Sequence, residues 1–419
     1  MSFLGHGLPQ IVRLSAPVKY ANYDTSFRNR QTADDVREGV VTEREALIAM
    51  NRVSGLGAIT VKRMVERLGS LTAAFEAAEQ DLLSVPGVGL EKARLFFEEL
   101  KRVRADDELE RAEKKGVRLV TWVDPGYPSL LKQIADPPLV LYVAGAVDAL
   151  DQLSVAIIGT RRPTVYGRES ARRFGFQLAG AGYVVVSGLA SGIDTEAHTG
   201  AVQAKGRTVA VLGGALDCLF PKENTGLARE MVAKGGAVIS EYPFGRQPDR
   251  QTFPMRNRIV SGLSKGVLVV EAPLASGTLI TVGQALDQNR AVMAVPGRID
   301  SPASQGCHKL VRDGARLVTT ADEVIEELQD LLSGMQPAGA GRVSGAPTVA
   351  KRPEAVLSPE ERKVLALVED GGGTLADAVV RGSGLDAGQV NALLIGLQIK
   401  RQIKMLPGGF VARRNAGEA

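Results

Sequence analysis

Between residues 153 and 297, short apolar runs alternate with helix-like runs, and this alternation limits the fold more than any other feature. The strand-like runs are Val155–Ile158, Tyr183–Ser187, Thr208–Leu212, Ala237–Ser240, Val267–Val270 and Ala291–Val295. Helices are predicted over 168–181, 195–204, 223–233, 255–263 and 279–289. Uniformly apolar strands separated by helices imply βαβ units and a doubly wound, mostly parallel sheet buried on both faces. In such a sheet the strand-to-helix turns converge on one edge, where backbone N–H groups, hydroxyls and basic side chains can meet a ligand.

Four of these turns carry the candidate site. After the first strand come Gly159, Thr160 and Arg161, with Arg162, Arg168, Arg172 and Arg173 close behind. A Gly-Thr pair presents donors to a phosphate oxygen, and an arginine can fork onto the same group. The plain structural reading pairs Arg161 with a carboxylate such as Asp194. The second turn offers Ser187 and Gly188, and the acids Asp194 and Glu196 suit the first turn of the next helix. The third stretch interleaves Arg246, Arg250, Phe253, Arg256 and Arg258. Arginines with an aromatic ring suit single-stranded nucleic acid, where the ring stacks on a base; Phe253 as a core residue, and Arg256 and Arg258 as structural residues, are the competing readings. The fourth turn, Ser276-Gly277-Thr278, can be an anion cradle or a plain helix cap. Lys222 adds one more basic candidate.

Other chemistry is unsupported. A single Gly159 followed by Arg161 and Arg162 does not make the GxGxxG dinucleotide fingerprint, and no GxxxxGK[ST] loop occurs. His198 has no evident partner and reads as a helix histidine. The other histidines, His6 and His308, make no metal-ligand spacing with Cys218 and Cys307, which read as buried free thiols. No catalytic residue, metal or cofactor is expected. The net charge of +4 matters less than the clustering of arginine. No apolar stretch is long enough to span a bilayer and no secretory leader is evident, so a cytoplasmic location without membrane contact is expected.

Around this core the chain divides further. Residues 1–40 read as a flexible N-terminal arm, and 41–118 as an all-helical domain of SAM or helix-hairpin-helix type. Thr42 and Glu45 have capping-box spacing. Two Gly-apolar-Gly turns recur at Gly55 and Gly87, 32 positions apart; they serve either phosphate contact or tight helix packing. A proline-rich connector around Leu139–Val143 leads into the sheet domain, taken as 119–332. A Gly/Ala/Pro/Ser-rich linker covers 333–353. Residues 354–415 hold a helix opened by Ser358-Pro359, helices over 374–380 and 387–402, and a hairpin of 403–406 with 410–413. That pattern fits a winged helix, which can bind DNA or protein.

These strings resemble the DprA/Smf family, DNA-processing protein A. The resemblance rests on Gly159-Thr160-Arg161 with Tyr166-Gly167, Ser187–Asp194, Ala210–Asp217, Ser240–Pro243, Phe253–Ser264, Glu271-Ala272 with Ser276–Thr281, and Ala294–Gly297. It covers about 120–320; Ala215 and Thr278 depart from the glycine and serine common there. The resemblance implies an extended Rossmann-like fold that binds and protects incoming single-stranded DNA, loads RecA onto it in natural transformation and recombination, and dimerises through that domain. It places Gly159, Thr160, Arg161, Arg250 and Phe253 in the DNA pocket. Accessory domains could add double-strand contact. Two rivals stand beside it. One is a nucleotide phosphoribohydrolase-like enzyme on the same sheet, although the Glu after its glycine turn is missing here. The other is a winged-helix regulator of duplex DNA.

Overall fold

The computed structural model describes residues 41–333, 357–368, 373–400, 402–406 and 409–413. The expected arm over 1–40 lies outside these residues, as does the expected linker beyond residue 333. The chain forms two compact units, one of residues up to 151 with 212–249, the other of 152–211 and 250 onward. In chain order the main strands are β1 (Arg118–Thr121), β2 (Val140–Gly145), β3 (Ser154–Ile158), β4 (Val184–Ser187), β5 (Thr208–Val211), β6 (Ala237–Ser240), β7 (Gly266–Val269), β8 (Ala291–Ala294) and β9 (Arg316–Leu317).

In the first unit, the capping box at Thr42 forms as its sequence predicts. The Thr42 hydroxyl accepts the Glu45 N–H at 3.2 Å, and Glu45 Oε2 accepts the Thr42 N–H at 2.8 Å. The helix it opens, Glu43–Met50, buries Leu47, Ile48 and Met50 fully. Gly57 and Gly89 cap the helices Ala58–Leu68 and Leu90–Arg102. Arg63 ties the two glycine turns together: it donates to Pro86 O at 3.3 Å and occupies the space a side chain on Gly87 would need. The stretch read as a connector supplies two strands instead. β1 and β2 are antiparallel (Leu119↔Tyr142), and β2 is antiparallel to β6 (Tyr142↔Ser240). Its prolines lie outside those strands, so they do not interrupt the ladder. Buried Tyr142 meets Phe244 edge-on at 5.2 Å between ring centroids.

The second unit holds the parallel sheet in the order β5-β4-β3-β7-β8-β9. β3 pairs with β4 on one side (Val155↔Val185) and with β7 on the other (Val155↔Gly266). Residues two apart, Val155 with Ile157 on β3 and Leu268 of β7 with Val270 just past its end, share one core with Phe174 and Leu178 of helix Val165–Gly180 and with Val324 and Leu328 of helix Ala321–Ser333. Every residue of β3 is buried, which explains its unbroken apolar run. Chain direction reverses its walk across the sheet between β3 and β7, the usual place for a ligand crevice in an open α/β sheet.

The winged helix belongs to this second unit. Its helices are Pro359–Ala366, Ala376–Ser383 and Ala387–Ile399, with strands Ile403–Leu406 and Phe410–Arg413 forming the wing. Ser358 caps the first helix through the expected capping box. The helix predicted over 374–380 starts later, because Thr374–Leu375 pairs with the last strand (Thr374↔Val411). The turn at Pro407-Gly408 lies outside the described residues.

Candidate functional site

A cleft of about 500 Å³ opens at the C-terminal ends of β3, β4 and β7, where the strand order reverses. Gly159, Thr160, Arg161, Gly188, Arg250, Phe253, Arg256, Ser276, Gly277 and Thr278 line it, whereas Ser187, Lys222, Arg246 and Arg258 do not. Three turns and one helix build it.

The turn after β3 is pinned from beneath. Thr160 N–H donates to Glu271 O at 2.7 Å, and Ile193 N–H donates to Thr160 O at 3.2 Å. A Cβ on Gly159 would lie 2.6 Å from Ile193 Cγ1, so no other residue fits that contact. Thr160 Oγ1 accepts the Arg162 N–H at 3.2 Å and keeps its own proton to give. Glu271, buried at the end of β7, holds the far end of the turn. Its two carboxylate oxygens accept the Thr164 N–H at 2.9 Å and the Thr164 hydroxyl at 2.6 Å. The loop between these anchors presents Arg161 and Arg162 to solvent.

The turn after β4 is strained and closed upon itself. Buried Leu189 adopts φ +56° and Gly192 φ +91°. Asp194 accepts the N–H of Gly188 at 3.1 Å and of Ala190 at 3.3 Å on Oδ2. Burial pushes the Asp194 carboxyl above its ordinary range, against the pull of Arg256 and these amides. The donors expected to reach a phosphate are thus consumed. Gly188 has given its N–H to Asp194, and the Ser187 hydroxyl donates to Ile157 O at 2.7 Å in the interior.

Helix Thr252–Gly262 starts three residues before the predicted Met255, with Pro254 in its first turn, where its missing N–H costs nothing. Phe253, Arg256, Asn257 and Val260 therefore fall at helical spacing on one face, and all line the cleft. Arg256 is a correction. Only 4% exposed, it donates to Gly188 O at 2.6 Å and also to Val211 O, so its fork closes the ends of β4 and β5. Arg258 is also buried and donates to Met255 O. Phe253 is half-buried, and the Arg161 guanidinium stands 5.0 Å from its ring centroid.

The fourth turn caps helix Gly277–Asp287. Ser276 Oγ accepts the Thr278 N–H at 3.2 Å and donates to Thr278 Oγ1 at 3.0 Å. The Gly277 N–H has no partner among the described residues, and Gly277 lines the cleft. Lys222 belongs to the first unit, on the short turn Lys222–Asn224, and takes no part in the cleft.

The charge pattern is lopsided. Asp194 is the sole acid among the residues lining the cleft. Arg161, Arg162 and Arg250 are exposed and pair with no carboxylate among the described residues. By contrast Arg172 pairs with Glu196 at 2.6 Å. The Arg161–Asp194 pair of the competing structural reading does not form. His198 is buried beneath the sheet edge. Thr208 Oγ1 donates to Val185 O at 2.6 Å, so the His198 Nδ1 2.7 Å from that oxygen is the ring's N–H donor. Nε2 is then a bare acceptor with no partner, and burial with the Arg256 charge lowers the ring to about 3. Of the thiols, Cys307 is buried and pushed up to about 12 by burial, while Cys218 is only half-buried. No cluster of metal ligands occurs among the described residues.

Comparison with known proteins accords with this geometry. The family model for DNA recombination-mediator protein A matches residues 118–329, and that for the DprA winged helix domain matches 348–409. Protein Smf of Synechocystis is 34% identical over 89% of this chain and 99% of its own length. The chain belongs to the DprA/Smf family. Protein Smf of Escherichia coli shares 37% identity over 80% of this chain and 87% of its own. The X-ray structure of DNA processing protein A from Streptococcus pneumoniae superposes with a TM-score of 0.60 at 36% identity, covering 68% of this chain and 98% of the other. The DprA/Smf match to 118–329 contains every cleft-lining residue. The sequence reading missed two acids as anchors, Asp194 and Glu271. The only signal for either was an acid placed immediately after a strand or at a helix start.

Proposed function

We propose that this member of the DprA/Smf family binds single-stranded DNA in the cleft at the ends of β3, β4 and β7. One observation carries the reading: Arg161 stands over the partly exposed Phe253 ring, Arg250 lines the same cleft, and neither these two nor the adjacent exposed Arg162 has a carboxylate partner among the described residues. Uncompensated guanidiniums attract a polyanion, and the Phe253 face stacks on an unpaired base. Bases inside a duplex are already stacked and cannot use that ring. The Gly277 N–H and the Thr160 hydroxyl add donors for phosphate oxygens.

The family's name as a DNA recombination mediator supports a role in DNA processing, which we extend to transformation in the cytoplasm. There the chain would shield incoming strands and load RecA onto them, acting as a homodimer. No helix among the described residues is long and apolar enough to cross a membrane.

The test is fluorescence anisotropy of the full chain with a labelled oligothymidine and with the same length of duplex, across a salt series. Tighter, salt-dependent binding of the single strand is expected. Equal or stronger duplex binding would overturn the reading, as would release of adenine from AMP that disappears in a cleft variant.

A further inference from the structure

The third helix of a winged helix is the element that enters a DNA groove when such domains read duplexes. In this chain that helix, Ala387–Ile399, contains no lysine or arginine. It supplies none of the phosphate contacts on which duplex affinity rests. Its face is instead occupied within the second unit. It packs on helices Gly277–Asp287 and Gln305–Asp313. A Cβ on Gly283 would lie 3.7 Å from Ile395 Cγ1, and one on Gly388 would lie 3.5 Å from the Ala275 Cβ. Gln398 Nε2 donates to Asp287 Oδ1.

A buried, charge-balanced cluster seals the far end. Lys400 Nζ lies 2.7 Å from Glu361 Oε2 and 3.8 Å from Asp313 Oδ1, while Lys309 Nζ lies 2.9 Å from Asp313 Oδ2. Both acids are almost wholly buried. Burial raises the Asp313 carboxyl. Burial would also raise Glu361, but Lys400 and the Ser358 amide outweigh it and hold that carboxyl below its ordinary range. A Cβ on Gly396 would intrude 2.7 Å from Asp313 Oδ2 and 2.8 Å from Lys309 Nζ. A buried ion pair of this kind tolerates little displacement, because separating the partners leaves each charge desolvated and alone.

We propose that this face of the winged helix is a protein-docking surface whose partner is the pair of helices Gly277–Asp287 and Gln305–Asp313 of the same chain, and that the docked domain braces the cleft instead of reading duplex DNA. The bracing follows from Ala275, which lines the cleft, touches the Gly388 position, and precedes the Ser276-Gly277-Thr278 turn. That second part rests on the cleft being the single-strand site.

The docking is tested in the full chain by the pair Ala275→Cys and Gly388→Cys in a Cys218→Ser background. Their Cβ separation suits a disulfide. Mild oxidation is expected to join the two peptides within one molecule, seen by mass spectrometry and by loss of two thiols. Adding Gly283→Arg, which inserts a long side chain against Ile395, is expected to slow cross-linking by about tenfold or more. Absence of the cross-link, a cross-link only between molecules, or indifference to Gly283→Arg overturns the docking. Duplex affinity that falls when the cross-link closes also overturns it, since a duplex reader needs that face free. For the brace, Gly283→Arg in the otherwise native chain should weaken oligothymidine binding several-fold, and unchanged affinity refutes it. If the native chain itself fails to bind oligothymidine, the cleft reading is what has failed, and the docking is judged by the cross-link.

Discussion

Replacing Arg161 with alanine isolates the electrostatic part of the site. Arg161 is exposed and has no carboxylate partner, so its removal strands no buried charge, and stability should fall by no more than about 1 kcal/mol, the upper worth of its exposed contact with the Phe253 ring. Binding should respond in a defined way. Each phosphate neutralised on a single strand contributes about 0.7 to the slope of log affinity against log salt, so three contacts from Arg161, Arg162 and Arg250 give about −2.1. A roughly fourfold rise in salt then weakens the native chain about 18-fold and Arg161→Ala only about 7-fold. The variant also loses the cation–π contact with Phe253, worth about 0.5–1 kcal/mol at an exposed site. Arg161→Lys should restore the slope but not the full affinity, because an ammonium neither forks onto phosphate nor stacks on the ring. Arg172→Ala is the control; its guanidinium is already bound to Glu196, and its slope should match the native one. The assay is anisotropy with oligothymidine, with thermal unfolding to show that each variant is folded. A folded Arg161→Ala with native affinity and slope would refute the argument that unpaired charge on this rim grips the strand.

Phe253→Ala should lose about 1–3 kcal/mol of oligothymidine affinity with an unchanged salt slope, since stacking is not ionic; a changed slope with little loss would show the ring only positions Arg161. Glu271→Ala removes the acceptor of two Thr164 bonds in a buried place, and should cost about 1.5–3 kcal/mol of stability by denaturant unfolding. His198 is held neutral in the fold at about 3 against an ordinary 6.5, so the unfolded chain binds the extra proton and stability is lost as pH falls below about 6.5. The loss from this group reaches about 2 kcal/mol at pH 5 and should shrink in His198→Gln, read from unfolding midpoints at pH 7 and pH 5; an identical pH dependence in the variant would place the effect elsewhere.

The parallel strands were legible because burial on both faces demands unbroken apolar runs: β3, β4 and β5 fall within a residue of their predicted limits. β9 was not legible, being two exposed residues that pair with β8. Helix Thr252–Gly262 was misread at its start because Pro254 looks like a boundary, although the first turn accepts it. Starting the helix at Thr252 would have shown Phe253 and Asn257 one turn apart. Ser187, Gly188 and Arg256 failed as phosphate ligands for a different reason. Their donors go to Ile157 O, Asp194 and Gly188 O, and spacing along the chain does not show which carbonyl or carboxylate a donor will meet in three dimensions. Lys222 fell in the other unit for the same reason.

The acids of this region explain why binding without turnover is the better reading of the cleft. Hydrolysis at a sugar needs a carboxylate free to act on the reacting carbon or on water. Asp194 lines the cleft, but its Oδ2 holds the amides of Gly188 and Ala190 and its charge faces Arg256. Glu271 lies beneath the Thr164 turn with both oxygens taken. Freeing either acid would release the turn it fastens, Gly188–Gly192 in one case and the Arg161–Thr164 loop in the other. The anions therefore sit behind the backbone as anchors, and what they anchor is a front of arginine, amide and aromatic groups. Such a front can hold a nucleotide chain, and its carboxylates are already committed to holding the front in place.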